Sequence, residues 1–390
     1  MSYFDDWRLN SPFYDETHEA IAQSVRRFVE REVMNDIEAW ESAHEVPRAV
    51  IRKAAQAGLL GLGFPEEYGG SSEGVDVFHK FVQTEELARP GYGGFPTALI
   101  THAAGLPIIL AAGPEEMKRR VVPQILAGEK LLAFCITEPS GGSDVARITT
   151  RARRVGERYV VNGSKTYISH GMTADYYVVA VRTGGEGLDG LSVLLIERDA
   201  PGFTQTPLKK MGWHINDTAS IYFDNVEVPV ENRIGPENGG FAKLMANLNL
   251  ERLHAAHHCC AFARVALEEA ANWARDRMTF GKRLVDHQVI RTKLADMKRR
   301  IDATQALVDL AGWRAKENRL GGADLALLKV QATQMMERVA RDAAHVLGGA
   351  SYIEGTKTER IFRETLVMAI GGGSESILLD MAGRHLFSKG

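Results

Sequence analysis

The period of the hydrophobic positions changes twice along the chain. From about Thr17 to Ala127 it is helical: Ile21, Val25, Phe28 and Val29 share one face, and Ile51, Ala55 and Leu59 continue the pattern. Breaks at Pro47, Gly58, 65–70, 90–96 and Gly113–Pro114 cut this stretch into short helices. From about Leu131 to Val230 the period becomes two. Tyr176–Val181, Leu191–Ile196 and Ser220–Val228 carry the β-branched and aromatic residues of strands, with a loop at 184–190 between the first two. Tyr159–Gly163 followed by Lys165–Ile168 predicts a hairpin about an Asn162-Gly163 turn. From about Gly239 long helical runs return, at roughly 241–278, 285–317 and 323–347, with a last one after Ser374. Their lengths suit a bundle, and no internal repeat is evident. The order predicts an α+β chain: an N-terminal helical domain over 1–129, a central β-barrel-like domain over 130–236 and a C-terminal four-helix bundle over 237–390.

Composition narrows the function classes. A net charge of −3 with 25% charged residues disfavours a nucleic-acid binder, so the basic runs Arg151–Arg154 and Lys298–Arg300 read as solvated faces. Three cysteines, Cys135, Cys259 and Cys260, form no Cys-x-x-Cys pair and predict reduced, mostly buried thiols. No apolar run approaches the length of about 18 residues that a membrane span needs, and MSYFDDWRLN has no targeting pattern. A cytoplasmic protein without membrane or nucleic-acid partners is therefore expected.

Two nucleotide signatures are missing: no Gly-x-Gly-x-x-Gly opens a βα unit, and no Gly-Lys-Ser/Thr loop is present. The segment Phe134–Asp144 runs instead from an apolar strand into a loop rich in hydroxyls and glycine. Such a loop offers N–H and O–H donors to an anion or a ring edge, although a plain strand-to-loop turn has the same composition. His254, His257 and His258 invite a metal reading, but no third ligand stands at matching spacing, and core histidines are expected.

The run Thr137-Glu138-Pro139 followed by Gly142-Ser143-Asp144 resembles the flavin-contacting loop of acyl-CoA dehydrogenases. Asn162–Ser169 is similar to the family's Asn-Gly-x-Lys-x-Trp-Ile-Thr segment. Arg277–Gly281 with Gln288 resembles the element that reaches a neighbouring subunit's FAD, and Leu347-Gly348-Gly349 the turn near its adenosine. The likeness covers essentially the whole chain and implies the acyl-CoA dehydrogenase fold, FAD as cofactor, an acyl-CoA substrate, a homotetramer built as a dimer of dimers, and electron-transferring flavoprotein as acceptor. It implies that Phe134, Ile136, Thr137, Ser143, Tyr167, Ile168 and Ser169 hold the flavin. Arg277, Phe280, Gln288, Gly348, Gly349, Ser374 and Ser376 would hold the remainder of the cofactor. Ser143, Arg252, Gly372 and Gly373 would contact substrate, and residues 92–106 would line the acyl pocket.

One departure is informative. The family's commonest base is a Glu in an Ile-x-Glu-Gly-Thr segment, where this chain has Ile370-Gly371-Gly372-Gly373-Ser374. Glu251, in Leu248–Leu253, matches the alternative placement seen in isovaleryl-CoA and long-chain acyl-CoA dehydrogenases, whose members carry Gly at the vacated position. Loss and gain occur together. The resemblance then implies that Glu251 takes the α-proton, that hydride passes from Cβ to flavin N5, and that the N–H of Gly372 faces the thioester oxygen. From spacing alone Glu251 reads as a surface carboxylate or as half of an ion pair with a helix neighbour. Tyr167 and Ser169 replace the usual Trp and Thr, His345 a usual Gln, and Ala350-Ser351 an Asn-Gly. Action on carrier-protein thioesters, an oxidase or monooxygenase, and a non-catalytic flavoprotein remain alternatives on the same scaffold.

Overall fold

The computed structural model describes residues 7–317 and 319–387, and of 241–248 the backbone alone. Met1–Asp6, part of the segment in which no targeting pattern is expected, lie outside the described residues.

From Glu16 the chain runs through helices α1 (Glu16–Glu32), α2 (Ile37–Ala43), α3 (Arg48–Gln56), α4 (Val77–Ala88), α5 (Gly94–Ile100), α6 (His102–Ala112) and α7 (Glu115–Leu126). Helices α1 and α4 start alike. Asp15 and Asp76 accept from the first-turn N–H groups, while His18 and His79 accept the Asp N–H in return. The two caps also cross-link, since His18 Nε2 donates to Asp76 Oδ1 at 3.1 Å and the two imidazoles lie 4.0 Å apart. Lys316 reaches the same Asp76 at 2.6 Å from a C-terminal helix. Among the described residues His18, Asp76 and His79 alone come close enough to share a metal ion. Every ring nitrogen there already has a partner, so the cluster acts as a clamp between helices.

The middle of the chain is one eight-stranded sheet of β1 (Leu132–Cys135), β2 (Arg151–Val155), β3 (Arg158–Ser169), β4 (Tyr176–Arg182), β5 (Leu191–Glu197), β6 (Phe203–Pro207), β7 (Thr218–Pro229) and β8 (Arg233–Ile234). The order is β6-β7-β3-β2-β4-β5-β8, with β1 parallel to β4. β4 is buried throughout: Tyr177, Val179 and Val181 share one core with side chains of α1–α3 and α5, and Tyr176, Val178 and Ala180 share another with α6 and α7.

The expected hairpin at Asn162-Gly163 is not formed. β3 runs straight through, with a register shift at Gly163. Gly163 has φ +145°, and a Cβ there would lie 2.6 Å from Thr150 Cα, so the glycine serves a bulge rather than a turn. The reversal comes earlier, at Gly156-Glu157, where Gly156 is left-handed and joins β2 to β3.

The C-terminal region holds α8 (Gly240–Asp276), a short hairpin of β9 (Met278–Thr279) and β10 (Lys282–Arg283), α9 (Gln288–Lys316), α10 (Gly322–Leu347), α11 (Lys357–Ile370) and α12 (Glu375–Phe387). Small residues on α8 (Ala256, Cys259, Cys260, Ala263, Ala270) are fully buried and let its neighbours approach closely. All three cysteines are free and buried, as expected. Helix α11 has no counterpart in the hydrophobic pattern read above. It carries Glu364, whose buried carboxylate accepts from the N–H of Gly93 and of Trp213, both at 2.9 Å. One side chain thus ties all three regions together, and burial pushes its pKa up to about 7.

Gly163→Ala must force this bulge apart. A loss of about 1–3 kcal/mol in urea unfolding is expected, against no loss if Asn162-Gly163 were a free turn.

Candidate active site

The hydroxyl-rich loop after β1 is held by a buried ion pair. Lys165 Nζ donates to Glu138 Oε1 and to the Ile136 carbonyl, both at 2.9 Å, and both side chains are inaccessible. Glu138 also accepts from Thr149 N at 2.7 Å, Thr149 Oγ1 at 2.6 Å and Thr150 N at 2.9 Å. Burial alone would raise its pKa, but Lys165 and these donors hold it down to about 2. The Thr166 N–H donates to the Thr137 carbonyl at 2.9 Å, which brings the loop against the end of β3. Two motifs far apart in sequence thereby share one edge.

On that edge Tyr167 takes φ +59° and leaves its ring 72% exposed. Thr137 and Ser169 are half-buried beside it and Ser143 is exposed. A Cβ built on Gly141 would meet nothing within 4 Å. An exposed aromatic face, flanking hydroxyls and an open glycine loop fit a flat, hydrogen-bonding ring system such as the isoalloxazine of FAD. Phe134 and Ile136 are half-buried next to the loop, whereas the Ile168 side chain is in the core, leaving its backbone for any contact.

Glu251 stands near the start of α8, half-buried. Burial pushes its pKa up to about 8, against a lowering influence from Arg252. The Arg252 guanidinium is buried and turned away from solvent. Its Nε donates to the Gly372 carbonyl at 3.3 Å and its Nη1 to Asn249 Oδ1 at 2.9 Å. From α10 the buried Lys329 donates to the Gly373 carbonyl at 2.9 Å. The glycine loop between α11 and α12 is thus fastened through its carbonyls beside the helix that carries Glu251. Gly372 (φ +69°) and Gly373 (φ +110°) are both left-handed, and a Cβ on Gly372 would point into open space. Ser374 is half-buried at the start of α12, and Ser376 is exposed. In the segment expected to line the acyl pocket, Tyr92 lies under Arg360 at 3.6 Å, and Phe95 and Leu99 are buried.

The residues assigned to a neighbour's cofactor are turned to solvent in the single chain. Phe280, at φ +48° on the β9–β10 hairpin, is 97% exposed, and Arg277 and Gln288 are exposed beside it. Gly348 and Gly349 are exposed at the end of α10, where Ser351 Oγ closes the turn onto the carbonyls of Ala344 and Gly348. A hydroxyl therefore does the turn-closing work at the position where the usual Asn-Gly is lost. The three α8 histidines are packing residues. His257 stacks on Phe81 and hydrogen-bonds its carbonyl, His258 stacks on Phe262, and His254 meets Phe81 edge-on.

Glu138, Lys165, Lys329 and Glu364 received no role from the sequence. Glu138 and Lys165 lie within the Thr137–Asp144 and Asn162–Ser169 motifs, and a charge at an apolar strand position was the available signal for Lys165. Lys329 and Glu364 had none, because their partners are backbone groups more than 40 residues away.

Three family models cover the chain: "Acyl-CoA dehydrogenase, N-terminal domain" over residues 15–129, "middle domain" over 133–226 and "C-terminal domain" over 238–387. The long-chain specific acyl-CoA dehydrogenase of Rattus norvegicus mitochondria is 32% identical over 379 residues, covering 96% of this chain and 87% of its own. The acyl-CoA dehydrogenase structure from Geobacillus kaustophilus superposes with a TM-score of 0.92 at 32% identity, covering 97% of this chain and 100% of that one. Butyryl-CoA dehydrogenase from Megasphaera elsdenii gives 0.91 at 31% identity over 96% and 98%.

Two outcomes follow from the electrostatics. Lys165→Met strands a buried carboxylate and is expected to cost about 3–5 kcal/mol, read by urea unfolding, with loss of FAD retention on gel filtration. Glu251 has a raised folded-state pKa, so folding binds a proton between the ordinary carboxylate range and about 8. Its contribution to stability therefore falls as pH rises through that window in the cofactor-free protein. Glu251→Gln should flatten that fall, and an unchanged pH profile of the melting temperature would contradict the assigned burial.

Proposed function

The chain belongs to the acyl-CoA dehydrogenase family, and we propose that it desaturates an acyl-CoA thioester between Cα and Cβ with Glu251 as the base. The observation that carries this reading is the pairing of a half-buried carboxylate of raised pKa with an adjacent, carbonyl-fastened Gly-Gly loop. FAD, the family's cofactor, supplies the two-electron hydride acceptor when bound at the edge formed by Thr137, Tyr167 and Ser169. The protein supplies position and charge.

Glu251 must be ionised to accept the α-proton. A pKa near 8 makes it a stronger base than an exposed carboxylate while leaving an ionised fraction at neutral pH. As the α-proton leaves, negative charge builds on the thioester oxygen, and a fixed N–H donor there lowers the barrier. The backbone N–H of Gly372 fills this role. Replacing the family's usual Glu with Gly removes a side chain and keeps the donor. Arg252 and Lys329 hold the following carbonyls, so the donor is set before substrate arrives. Open space at Gly372 leaves room for a branched or long acyl chain, which supports placing the protein in the isovaleryl and long-chain branch.

Exposed Phe280 and its neighbours support a homotetramer, a dimer of dimers in which the β9–β10 hairpin covers a partner's cofactor. Electron-transferring flavoprotein is the electron acceptor in this reading.

Purified FAD-loaded protein should bleach under anaerobic mixing with saturated acyl-CoA thioesters and regain colour with the acceptor flavoprotein. Its kcat/KM should rise with pH through a pKa displaced above the ordinary carboxylate range, and Glu251→Gln should slow bleaching about a thousand-fold. Bleaching at wild-type speed in that variant would remove Glu251 from the mechanism.

A further inference from the structure

The loop of residues 208–217 joins β6 to β7 and is gripped by side chains from two other regions. From α11, Glu364 accepts the Trp213 N–H at 2.9 Å and Arg363 Nη1 donates to the Met211 carbonyl at 3.1 Å. From α2, Glu41 Oε2 accepts the Ile215 N–H at 2.8 Å. Inside the loop, Lys210 donates to the carbonyls of Trp213 and Asn216. Trp213 takes φ +53°, a conformation that a non-glycine residue keeps only where its surroundings impose it. A Cβ on Gly93 would lie 2.6 Å from Trp213 Nε1, so the ring sits tightly on the turn before α5. At its far end the loop runs into Thr218, which pairs with Ser169, and the Asp217 carbonyl accepts the His170 N–H at 3.1 Å. The loop therefore touches both the turn before α5 and the strand end that carries the proposed cofactor edge.

One acceptor in this arrangement is left over. Glu41 Oε1 is buried and makes no hydrogen bond, with His214 Nδ1 at 3.7 Å and Arg363 Nη2 at 3.9 Å. A neutral imidazole cannot satisfy it. His214 Nε2 lies 3.0 Å from the Lys210 carbonyl, which can only accept, so the one ring proton sits on Nε2. Nδ1 then turns a lone pair toward the carboxylate. A second proton converts that contact into a charge-assisted N–H···O bond. Histidine is the side chain whose charge changes between pH 5 and 8.

The other charges nearby are committed elsewhere. Arg363 gives Nε to Glu359 and Nη1 to Met211, and Lys210 is spent on its two carbonyls. Arg360 lies over the Tyr92 ring, His44 donates to the His214 carbonyl at 3.3 Å, and Asp217 accepts from Met172 and Thr173. Behind Trp213, burial keeps His258 neutral, near 3. Glu364 acts in the same sense as His214. Burial, with Glu41 as a further cause, pushes its pKa up to about 7, so proton uptake there relieves repulsion as pH falls.

We propose that His214 and Glu41 form a pH-sensitive latch on this loop: protonated His214 donates to Glu41 Oε1 and fastens the loop to α2, and loss of that proton frees it. His214 gains a partner on protonation, so the latch is closed at mildly acidic pH and opens as pH rises. The side chains are 28% and 11% exposed, which limits the gain to that of a partly screened ion pair.

Hydrogen exchange of the FAD-loaded protein tests this, read by mass spectrometry on peptides covering 208–217 at pH 5.5 and 7.5 and corrected for the intrinsic rate. The upper value stays below the range in which Lys210, lowered by burial to about 8, gives up its own charge. Protection of the loop should be about 3- to 10-fold higher at pH 5.5 in the wild type, with no such change in peptides from β4. His214→Gln should remove most of that ratio, whereas Glu364→Gln should keep most of it. Glu41→Gln places an amide donor where Oε1 stands, opposite the bare Nδ1, and should hold the loop protected at both pH values. A wild-type ratio near one, or a ratio unchanged in His214→Gln, overturns the latch.

Discussion

The buried pair of Lys165 and Glu138 is the constraint on which the proposed cofactor edge depends. A charged pair this deeply buried is tolerated because nearly every lone pair and proton is used: three donors from Thr149 and Thr150 and one carbonyl, that of Ile136, complete it. Its geometry joins the end of β1, the start of β2 and the middle of β3. Without it the loop over 137–144 has only short backbone bridges to hold its shape. The bulge at Gly163 belongs to the same arrangement, since it lets β3 pass close to Thr150 just before Lys165 turns inward. Tyr167 can stand exposed in a left-handed conformation because the residues on either side of it are fixed in the core.

The surroundings of Glu251, the proposed base, are built by a different means. Here the chain uses backbone carbonyls as handles, with Arg252 and Lys329 gripping successive glycines. Left-handed φ favours glycine at both positions, and at Gly373 a Cβ would also come within 3.0 Å of Leu378 Cδ2. Arg252 also sits next in sequence to Glu251, so the residue that fastens the loop is the one that moderates the pKa of Glu251. In the proposed mechanism, position of the donor and basicity of the acceptor are therefore coupled through one guanidinium. Glu364 sets the wider frame, anchoring α11 to Gly93 and Trp213 so that the helix leading into the glycine loop is fixed against both other regions.

Much of this was legible in the sequence, and the reasons are uneven. The change from helical to alternating period located the three regions, because each packs one face of each element. Motif order singled out the hydroxyl-rich loop and the end of β3, which the Thr166–Thr137 hydrogen bond brings to one edge, and the joint loss at Gly372 and gain at Glu251 singled out the base now proposed. The Asn162-Gly163 reading failed because a glycine with φ +145° serves a bulge as well as a turn, and only the strand across from it decides. Helix α11 escaped because its exposed face is also apolar, with Phe362, Leu366 and Ile370 outward, which blurs the period. The fastening roles of Lys329 and Glu364 were illegible in principle: a side chain that bonds a distant peptide group leaves no partner residue to recognise.

The central claim is that Glu251 removes the α-proton while the Gly372 peptide steadies the charge. Its most direct measurement is proton exchange at Cα of a bound acyl-CoA in D2O, followed by NMR in FAD-loaded wild type and Glu251→Gln. The account predicts exchange in the wild type and a fall of about a thousand-fold in the variant, with FAD content unchanged. Exchange at an undiminished rate in the variant would contradict it.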